Sequence, residues 1–502
     1  MKQNLVVLLT FLLVGLGNLF AQSDYDYAKL ARSECLQVMK YHVKSKYKGL
    51  CKTNYQHFNS DDSYYKSKGR SKVKIGEFNL LYPGSQSTQF KDREIIARII
   101  NKYDVVAALE VLPLVGKDAK ENRKIIDYIS SKDITKGKRD YALKYLRIPD
   151  YIKILDELRK LDRSWSLLLS GSSEALARGH VREYTGFYYR SSKVKPIKNE
   201  HCSTIKRKSD GYPYACFPDL NGGLLKRNVR DVFSKRPFMA SFVSGKFDFT
   251  LLTSHIVFGS TDDESRMKKI LKQSFNVDNY RDIGAGVTKK NYARFAEVKV
   301  ILELMGKLRE NYNEQDVIFL SDMNIEFDHP MWEKILGYGD SELYMDLPTT
   351  VSYKKYDNGR ETNGFASDYD HVILNSDNSS ECKNSSGFVQ VERLNFQTGN
   401  IGDEIQRKYI VRTKAGNRSS YYTRKLNALT DKMFAEDSYF KVVRNGKLVE
   451  PSISKDRVRS DATSRVFDSQ FNEDTFYRIY KEIVSDHYPI GFSCSTSNTD
   501  DD

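Results

Sequence analysis

Short apolar runs that end abruptly in polar residues recur along this chain. The run VIFL at 317–320 is one example, and it ends in the segment SDMN, which carries Asp322 and Asn324. A run of this kind, with β-branched and aromatic members, predicts a strand buried on both faces. Asp322 and Asn324 are two positions apart, so on an extended chain their side chains would point the same way. The pattern predicts an oxygen-rich corner of the type that binds divalent cations or phosphate.

The same reading predicts further strands and helices along the chain. Strands are predicted over 72–81, 104–111, 165–169, 183–190, 367–374 and 485–492, with a hairpin over 237–255. Apolar residues at helical spacing predict helices within 88–102, 117–163 and 291–309. The strand–helix–strand order at the start of this series predicts a layered α/β fold.

The first 21 residues have the pattern of a signal peptide. Lys2 supplies a positive start, an apolar block covers 5–13, and Ala21 is a small residue at the expected cleavage point. The apolar block is short for a membrane span, and polar sequence follows it. We expect the mature chain to be exported, to the extracellular space or to the periplasm.

The cysteines fit an exported chain, because they are six and therefore even in number. Other connectivities stay open, and proximity along the chain is the only guide. It predicts the pairs Cys35–Cys51, Cys202–Cys216 and Cys382–Cys494.

Composition bounds the size and the partners of the protein. The 502 residues, 40% of them hydrophobic, are enough for a large core. A net charge of +14 predicts an anionic partner, which charge alone leaves open between nucleic acid, anionic lipid and acidic polysaccharide. We divide the chain into a signal peptide (1–21), a disulfide-clipped N-terminal extension (22–70), a main domain (71–495) with insertions at about 113–165 and 378–481, and a polar tail (496–502).

The predicted strands share a second property, since each of them ends in or carries a polar residue. In chain order these residues are Asn79, Glu110, Glu183, His255, Asp322 with Asn324, Asp370, and Asp486 with His487. Buried strands that repeatedly finish in amides, acids and imidazoles predict one shared site at one edge of the sheets.

The segments that carry these residues resemble the endonuclease/exonuclease/phosphatase superfamily, and within it pancreatic-type deoxyribonucleases and their secreted bacterial relatives. The segments are EFNLL at Asn79, ALEV at Glu110, TSH at His255, SDMN at Asp322, DYDHVIL at Asp370 and SDHYPI at His487. They occur in the family's order over about 72–493. The resemblance implies an α/β (α+β) four-layer sandwich, in which two packed mixed β-sheets are flanked by helices. It does not explain the two large insertions.

The resemblance also implies a role for each residue. Glu110 matches the main Mg²⁺ ligand with Asn79 and Asp486 close by, Asp322 and Asn324 match residues that orient the phosphate and the attacking water, and the two histidines match as the pairs His487–Asp370 and His255–Glu183. Hydrolysis of a phosphodiester needs a group that takes a proton from water and one that gives a proton to the leaving oxygen. We expect His487 or Asp322 to assist the water and His255 to protonate the leaving 3′ oxygen, with the division of roles open. Whether Ca²⁺ or Mn²⁺ replaces Mg²⁺ is open too.

Two positions depart from the pancreatic-type pattern. Val181 stands where the pattern has a tyrosine two residues before Glu183, and Leu112 stands where it has an arginine. The segment FSKRP resembles the family's phosphate-contacting loop, with Lys235 and Arg236 as the predicted substrate contacts.

The sequence therefore predicts a secreted, Mg²⁺-dependent, largely sequence-nonspecific DNA endonuclease that leaves 5′-phosphate ends. We expect it to act as a monomer without stable membrane association. The alternatives are a secreted ribonuclease, a sphingomyelinase-like phosphodiesterase, and a nucleic-acid-binding toxin subunit on the same scaffold.

Overall fold

The computed structural model describes most of the predicted main domain. The described residues are 55–60, 71–83, 90–111, 150–170, 183–199, 201–202, 213–220, 222–312, 314–351, 364–394 and 480–497, with the short pieces 135, 137, 355–356, 428, 442–444 and 447–449. The predicted signal peptide, the predicted Cys35–Cys51 pair, Leu112, Val181 and most of both predicted insertions lie outside these residues.

Strands and helices alternate along the described chain. The strands are β1 (Tyr55–Phe58), β2 (Lys72–Asn79), β3 (Val105–Val111), β4 (Trp165–Ser170), β5 (Tyr184–Arg190), β6 (Lys195–Ile197), β7 (Ala215–Cys216), β8 (Phe238–Ser244), β9 (Phe247–Thr253), β10 (Val317–Asp322), β11 (Glu342–Tyr344), β12 (Lys355–Tyr356), β13 (Asp370–Leu374), β14 (Glu392–Arg393), β15 (Val442–Arg444), β16 (Lys447–Val449) and β17 (Ile490–Ser495). The helices of six or more residues are α1 (Arg93–Ile100), α2 (Asp150–Leu161), α3 (Glu264–Ser274), α4 (Tyr292–Tyr312) and α5 (Met331–Leu336).

Two large mixed sheets form the centre of the fold. The first has the strand order β1-β4-β5-β3-β2-β17-β14, and the second has the order β11-β13-β10-β9-β8-β6 with β7 beside β8. Each contains one parallel pair, β2 with β3 and β9 with β10, among antiparallel neighbours. A separate small sheet has the order β12-β15-β16. The edge strand β1 comes from the segment that the sequence analysis places in the N-terminal extension.

Buried apolar residues fill three spaces between four layers. Ile75 of the first sheet and Phe242 of the second belong to a cluster between the sheets. Ile96 and Leu155 belong to a cluster that packs α1 and α2 on the outer face of the first sheet. Leu302 belongs to a third, which packs α3, α4 and α5 on the outer face of the second. Two mixed sheets flanked by helices are the fold class that the sequence predicts, which is therefore confirmed.

The contact between β2 and β17 depends on two glycines. Gly76 and Gly491 are paired across these strands, and the ring of Tyr103 lies over both. A Cβ atom on Gly76 would lie 2.8 Å from the Tyr103 ring, and one on Gly491 would lie 2.4 Å from it. At these two positions only glycine leaves room for the ring, which packs over both strands.

Several boundaries differ from the sequence-based expectations. Helix α1 begins at Arg93 rather than near residue 88, because the side chain of Asp92 caps it by accepting the N–H of Ile95. Strand β17 begins only at Ile490, so Asp486 and His487 lie in the preceding turn and not on the strand as predicted.

The described residues contain two disulfides, Cys202–Cys216 and Cys382–Cys494. Both predicted pairs are confirmed. None of the helices in the described ranges combines the length and the apolar character that a bilayer crossing requires.

Candidate active site

The ends of several strands meet at one edge of the two sheets. β2 runs parallel to β3, and β9 runs parallel to β10, so the last residues of each pair lie together. β5, β17 and β13 run antiparallel to these strands, which places their first residues at the same edge. This edge gathers the acid, amide and imidazole residues predicted from the sequence: Asn79, Glu110, Glu183, His255, Asp322, Asn324, Asp370, Asp486 and His487.

Asp322 lies at the centre of this arrangement. Its Oδ2 accepts a hydrogen bond of 3.1 Å from Nδ2 of Asn79. The same oxygen is 3.6 Å from Nε2 of His487 and 3.8 Å from Nε2 of His255. Burial raises the pKa of Asp322, and the two imidazoles oppose that shift. Nε2 of each histidine therefore faces the Asp322 carboxylate.

His487 forms a buried pair with Asp370. Its Nδ1 is 2.7 Å from Oδ2 of Asp370, so the proton on Nδ1 is donated to the carboxylate and Nε2 faces the site. Burial lowers the pKa of His487, but the carboxylates of Asp370 and Asp322 outweigh it and hold the pKa well above the ordinary value. The raised pKa favours the doubly protonated imidazolium form of His487.

His255 pairs with Glu183 in the same way, but a lysine joins the pair. Nδ1 of His255 is 2.8 Å from Oε2 of Glu183, and Nζ of Lys235 lies 2.6 Å from the same nitrogen and 2.7 Å from the same oxygen. Burial and the Lys235 ammonium lower the pKa of His255, whereas Glu183 and Glu110 raise it, and the net direction is upward. Burial opposes ionisation of Glu183, yet its two cationic neighbours lower its pKa to about 2.

Tyr82, which was not predicted as a site residue, also contacts Glu183. The hydroxyl of Tyr82 donates a hydrogen bond of 2.8 Å to Oε1 of Glu183. Tyr82 follows β2 and is 101 positions from Glu183 in the sequence, so motif spacing does not reveal this contact.

Glu110 owes its orientation to an irregularity in β3. The pairing of β3 with β5 shifts register between Ala108 and Val111, and Glu110 has a left-handed φ of 53° within this bulge. Non-glycine residues seldom adopt such a φ, and bulges commonly redirect a side chain beside an active site. Burial raises the pKa of Glu110 to about 7. Its Oε1 accepts a 3.2 Å hydrogen bond from Asn79 and lies 3.5 Å from Nδ1 of His255.

Asp322 and Asn324 do not lie on an extended segment as predicted. β10 ends at Asp322, and Asn324 has a left-handed φ of 54°. The backbone N–H of Asn324 donates to Oδ1 of Asp322 at 3.1 Å, which closes a local turn. The Asn324 amide instead donates to the carbonyl of Ile256 at 2.9 Å and ties this turn to the His255 loop.

Asn79 is placed beside Glu110, but its amide nitrogen, not its oxygen, faces the carboxylates. Nδ2 donates to Glu110 and Asp322, while Oδ1 accepts the N–H of Leu81 at 3.0 Å. In this orientation Asn79 donates to both acids, and its role as a metal ligand stays a prediction.

The donor set fits a divalent cation. Among the described residues, Oε2 of Glu110 and Oδ1 of Asp486 are buried carboxylate oxygens without a hydrogen-bond partner. Within the same ranges, ligand atoms of Glu110, His255 and Asp322 lie within 4.8 Å of one another. Unpaired acid oxygens in a buried cluster cost free energy that a bound cation offsets.

The two predicted substrate contacts lie in different surroundings. Lys235 points into the site, at His255 and Glu183. The guanidinium of Arg236 lies 3.9 Å from the centroid of the Phe217 ring. Lys235 is therefore at hand for a phosphate beside His255, whereas Arg236 packs against an aromatic ring.

Two buried groups near the site were missed from the sequence. Glu77 is fully buried, and within the described ranges neither of its oxygens receives a hydrogen bond from a neutral or cationic donor. Burial and the nearby Asp370 carboxylate raise the pKa of Glu77 well above the ordinary value. Lys91, which bonds the carbonyl of Val484, is buried too, and burial lowers its pKa to about 7. A charged residue inside an apolar run was the only sequence signal for Glu77.

Comparisons with known proteins find similar solved structures, but no protein with a similar sequence. No protein-family profile matches the chain, and no curated protein is similar to it in sequence. An endonuclease/exonuclease/phosphatase family protein of Bacteroides thetaiotaomicron is 13% identical, over 61% of this chain and 83% of that one, with a TM-score of 0.32. The human Nocturnin catalytic domain, solved with a sulfate anion, is 8% identical over 64% and 85%, with a TM-score of 0.31. TDP2 of D. rerio, solved with a single-strand DNA product, is 13% identical over 65% and 89%, with a TM-score of 0.28.

The first of these structures is a member of the superfamily that the sequence motifs resemble. The narrower resemblance to pancreatic-type deoxyribonucleases is not confirmed. Similarities this low do not identify a substrate or a reaction, which have to be argued from this chain's own side chains.

Proposed function

We propose that the protein is a divalent-metal-dependent phosphodiesterase that hydrolyses DNA and leaves 5′-phosphate ends. The observation that carries the proposal is the position of Asp322 between two histidines. His487 and His255 each have a carboxylate behind Nδ1 and direct Nε2 at Oδ2 of Asp322, at 3.6 and 3.8 Å. This arrangement suits a reaction that moves one proton away from an attacking water and another towards a leaving oxygen.

The proposed catalytic roles rest on the two protons that the reaction moves and on the charges of the two histidine–carboxylate pairs. Attack of water on phosphorus breaks the bond to the 3′ oxygen, so one proton must leave the water and one must reach that oxygen. Asp322 and His487 are assigned to the water, and His255 to the leaving oxygen. Glu183 and Glu110 raise the pKa of His255, which favours the protonated form that the acid role requires. Asp370 and Asp322 raise the pKa of His487 as well, so Asp322 is the group proposed to accept the proton of the water, with His487 beside it.

Glu110 and Asp486 are the residues proposed to hold the metal, because Oε2 of Glu110 and Oδ1 of Asp486 have no hydrogen-bond partner among the described residues, and Oδ1 of Asp486 lies 4.0 Å from Nε2 of His487. A bound divalent cation would neutralise charge on the phosphate oxygens. Lys235 and the amide of Asn324 are proposed to contact the phosphate. The excess of positive charge and the two disulfides support an exported protein with a polyanionic substrate.

Plasmid nicking by the purified protein tests the proposal. We expect nicking with Mg²⁺ or Mn²⁺, loss of nicking in EDTA, and its recovery when metal is restored. The same preparation is assayed on single-stranded DNA, RNA and sphingomyelin. Cleavage of only RNA or only sphingomyelin would replace DNA as the substrate, and no metal-dependent cleavage of any of the four would refute the phosphodiesterase.

The variants His255→Ala and His487→Ala separate this site from a contaminating nuclease. Each should lower nicking by at least about 100-fold with an unchanged circular dichroism spectrum. His329→Ala is the matched control, since His329 packs against Phe295 outside the site. Equal activity in His255→Ala and His329→Ala would remove His255 from the mechanism.

A further inference from the structure

An exposed aromatic ring stands three residues after His255. Phe258 is 64% exposed, although large apolar side chains elsewhere in the described chain are mostly buried. It leaves the site on the segment that begins with His255 and Ile256. An isolated exposed apolar residue is ordinary on a protein surface. Phe258 differs from such residues because hydrogen bonds hold the backbone on which it lies.

The backbone around Phe258 is held by bonds to the site and to α4. Ile256 donates its N–H to the carbonyl of Asp322 at 3.1 Å and accepts the Asn324 amide at 2.9 Å. The N–H of Val257 donates to Oε2 of Glu297, a fully buried residue of α4, at 3.1 Å. The ring is therefore presented by a fixed backbone, so that a contact with it costs little conformational entropy.

Arg294 supports the ring from one side. Its Nε donates to the carbonyl of Phe258 at 2.8 Å, and another of its nitrogens donates to the carbonyl of Asn324. The guanidinium also lies 4.8 Å from the centroid of the Phe258 ring. One face of the ring is thus covered by a cation, while the large exposed fraction of the side chain leaves other ring surface open to a flat partner.

Building on the proposed function, we propose that Phe258 is a stacking platform for an unpaired nucleobase next to the phosphate that is cleaved. A flat, rigid apolar surface tied to both His255 and Asn324 suits a base that lies beside the reacting phosphate. Every nucleobase has a π-face, so such a platform binds without reading sequence. It would direct the enzyme to single-stranded or frayed DNA rather than to an intact duplex, in which the bases are stacked on one another.

The charge around Phe258 favours a nucleotide over a lipid chain. The guanidinium of Arg294 lies 4.8 Å from the ring centroid, and Ser260, two residues after Phe258, bonds the backbone carbonyl of Lys290 at 3.0 Å. A base next to a phosphate matches this combination of aromatic surface and positive charge. A lipid tail would need a wider apolar surface than one ring supplies.

Equilibrium binding in EDTA tests the platform independently of cleavage. Fluorescence anisotropy measures the affinity for a single-stranded oligonucleotide and for the same strand with abasic tetrahydrofuran residues at alternate positions. We expect wild-type protein to bind the base-containing strand about 5- to 150-fold more tightly, from the known strength of base–aromatic stacking. Phe258→Ala should lose most of this preference without weaker binding of the abasic strand, and Phe258→Trp should retain it.

Phe388→Ala is the matched control, because Phe388 is 70% exposed but lies beyond β13 and not on the His255 segment. It should keep the wild-type preference. An unchanged preference in Phe258→Ala, or an equal loss for both strands, would overturn the platform. Loss of binding to sphingomyelin vesicles in Phe258→Ala, with the preference for bases unchanged, would assign the ring to lipid. Cleavage by wild-type protein, measured in parallel with Mg²⁺, reports separately on the proposed function.

Discussion

The hydroxyl of Tyr82 donates a hydrogen bond to Glu183, the carboxylate that pairs with Nδ1 of His255. Burial and two nearby carboxylates raise the pKa of Tyr82, so the hydroxyl stays protonated and acts as a donor at any working pH. Tyr82→Phe should leave the fold intact and lower kcat about 10-fold, because Glu183 loses one of the bonds that fix it. Single-turnover kinetics measure the effect. The control is Tyr338→Phe, which changes an exposed ring elsewhere; equal rates in the two variants would contradict a positioning role.

Lys235 competes with His255 for the same carboxylate oxygen. Lys235→Met removes the ammonium that lowers the pKa of His255, so the pKa of His255 should rise. The high-pH limb of kcat/KM should then move to higher pH if His255 is the acid. KM should increase about 10- to 100-fold, the range expected for loss of a charged hydrogen bond to phosphate. Lys269→Met, at a lysine paired with Asp231, is the control. A normal KM in Lys235→Met would exclude a phosphate contact.

Asp370 is expected to determine when His487 holds its proton. Asp370→Asn removes the carboxylate that raises the pKa of His487 most strongly, so that pKa should fall. The limb of the pH–rate profile that belongs to His487 should move to lower pH, and activity should drop about 100-fold or more. Asp377→Asn, at an exposed residue paired with Lys383, should leave the profile unchanged. A profile that does not move in Asp370→Asn would separate His487 from the observed limb.

Glu297 braces two loops of the site from behind, and its titration should affect stability. It accepts the N–H of Ser234 at 2.7 Å and that of Val257 at 3.1 Å. Burial raises its pKa from 4.5 to about 7. Because the folded pKa lies above the unfolded one, the stabilisation by the protonated form is complete below pH 4.5 and is lost as the pH rises to about 7.

Glu297→Gln removes this titration while keeping an acceptor. Relative to wild type, the free energy of unfolding of the variant should rise by about 3 kcal/mol between these two pH values and stay level above them. Urea unfolding in EDTA across the pH range measures the difference. Glu303→Gln on the same helix, at a residue paired with Lys299 and Arg227, is the control. A pH-independent difference between Glu297→Gln and wild type would show that Glu297 does not titrate in this range.

Much of the fold was accessible from the sequence, because strands buried on both faces read as uninterrupted apolar runs. The runs at β3 and β10 are examples, and the polar residues that end them led to the site. The polar pairs His487–Asp370 and His255–Glu183 were expected from the resemblance, and the structure places their atoms within 3 Å of each other.

What the sequence did not give depends on contacts between distant segments. Apolar spacing predicts a helix over α4 but not that Glu297 turns its carboxylate inward to two loop N–H groups. The hydrogen bond from Tyr82 to Glu183 joins residues 101 positions apart, and motif spacing does not reveal it. The turn at Asn324 was missed because the alternation rule assumes an extended chain, whereas the Asp322 side chain bends it.

The disulfide between Cys382 and Cys494 joins the chain shortly after Asp370 to the chain shortly after His487. Asp370 and His487, which are 117 positions apart in sequence, are thereby linked covalently a few residues beyond their hydrogen bond. A foreign domain inserted between Cys382 and Cys494 should therefore leave the Asp370–His487 pair in place, because the disulfide closes the chain beside it.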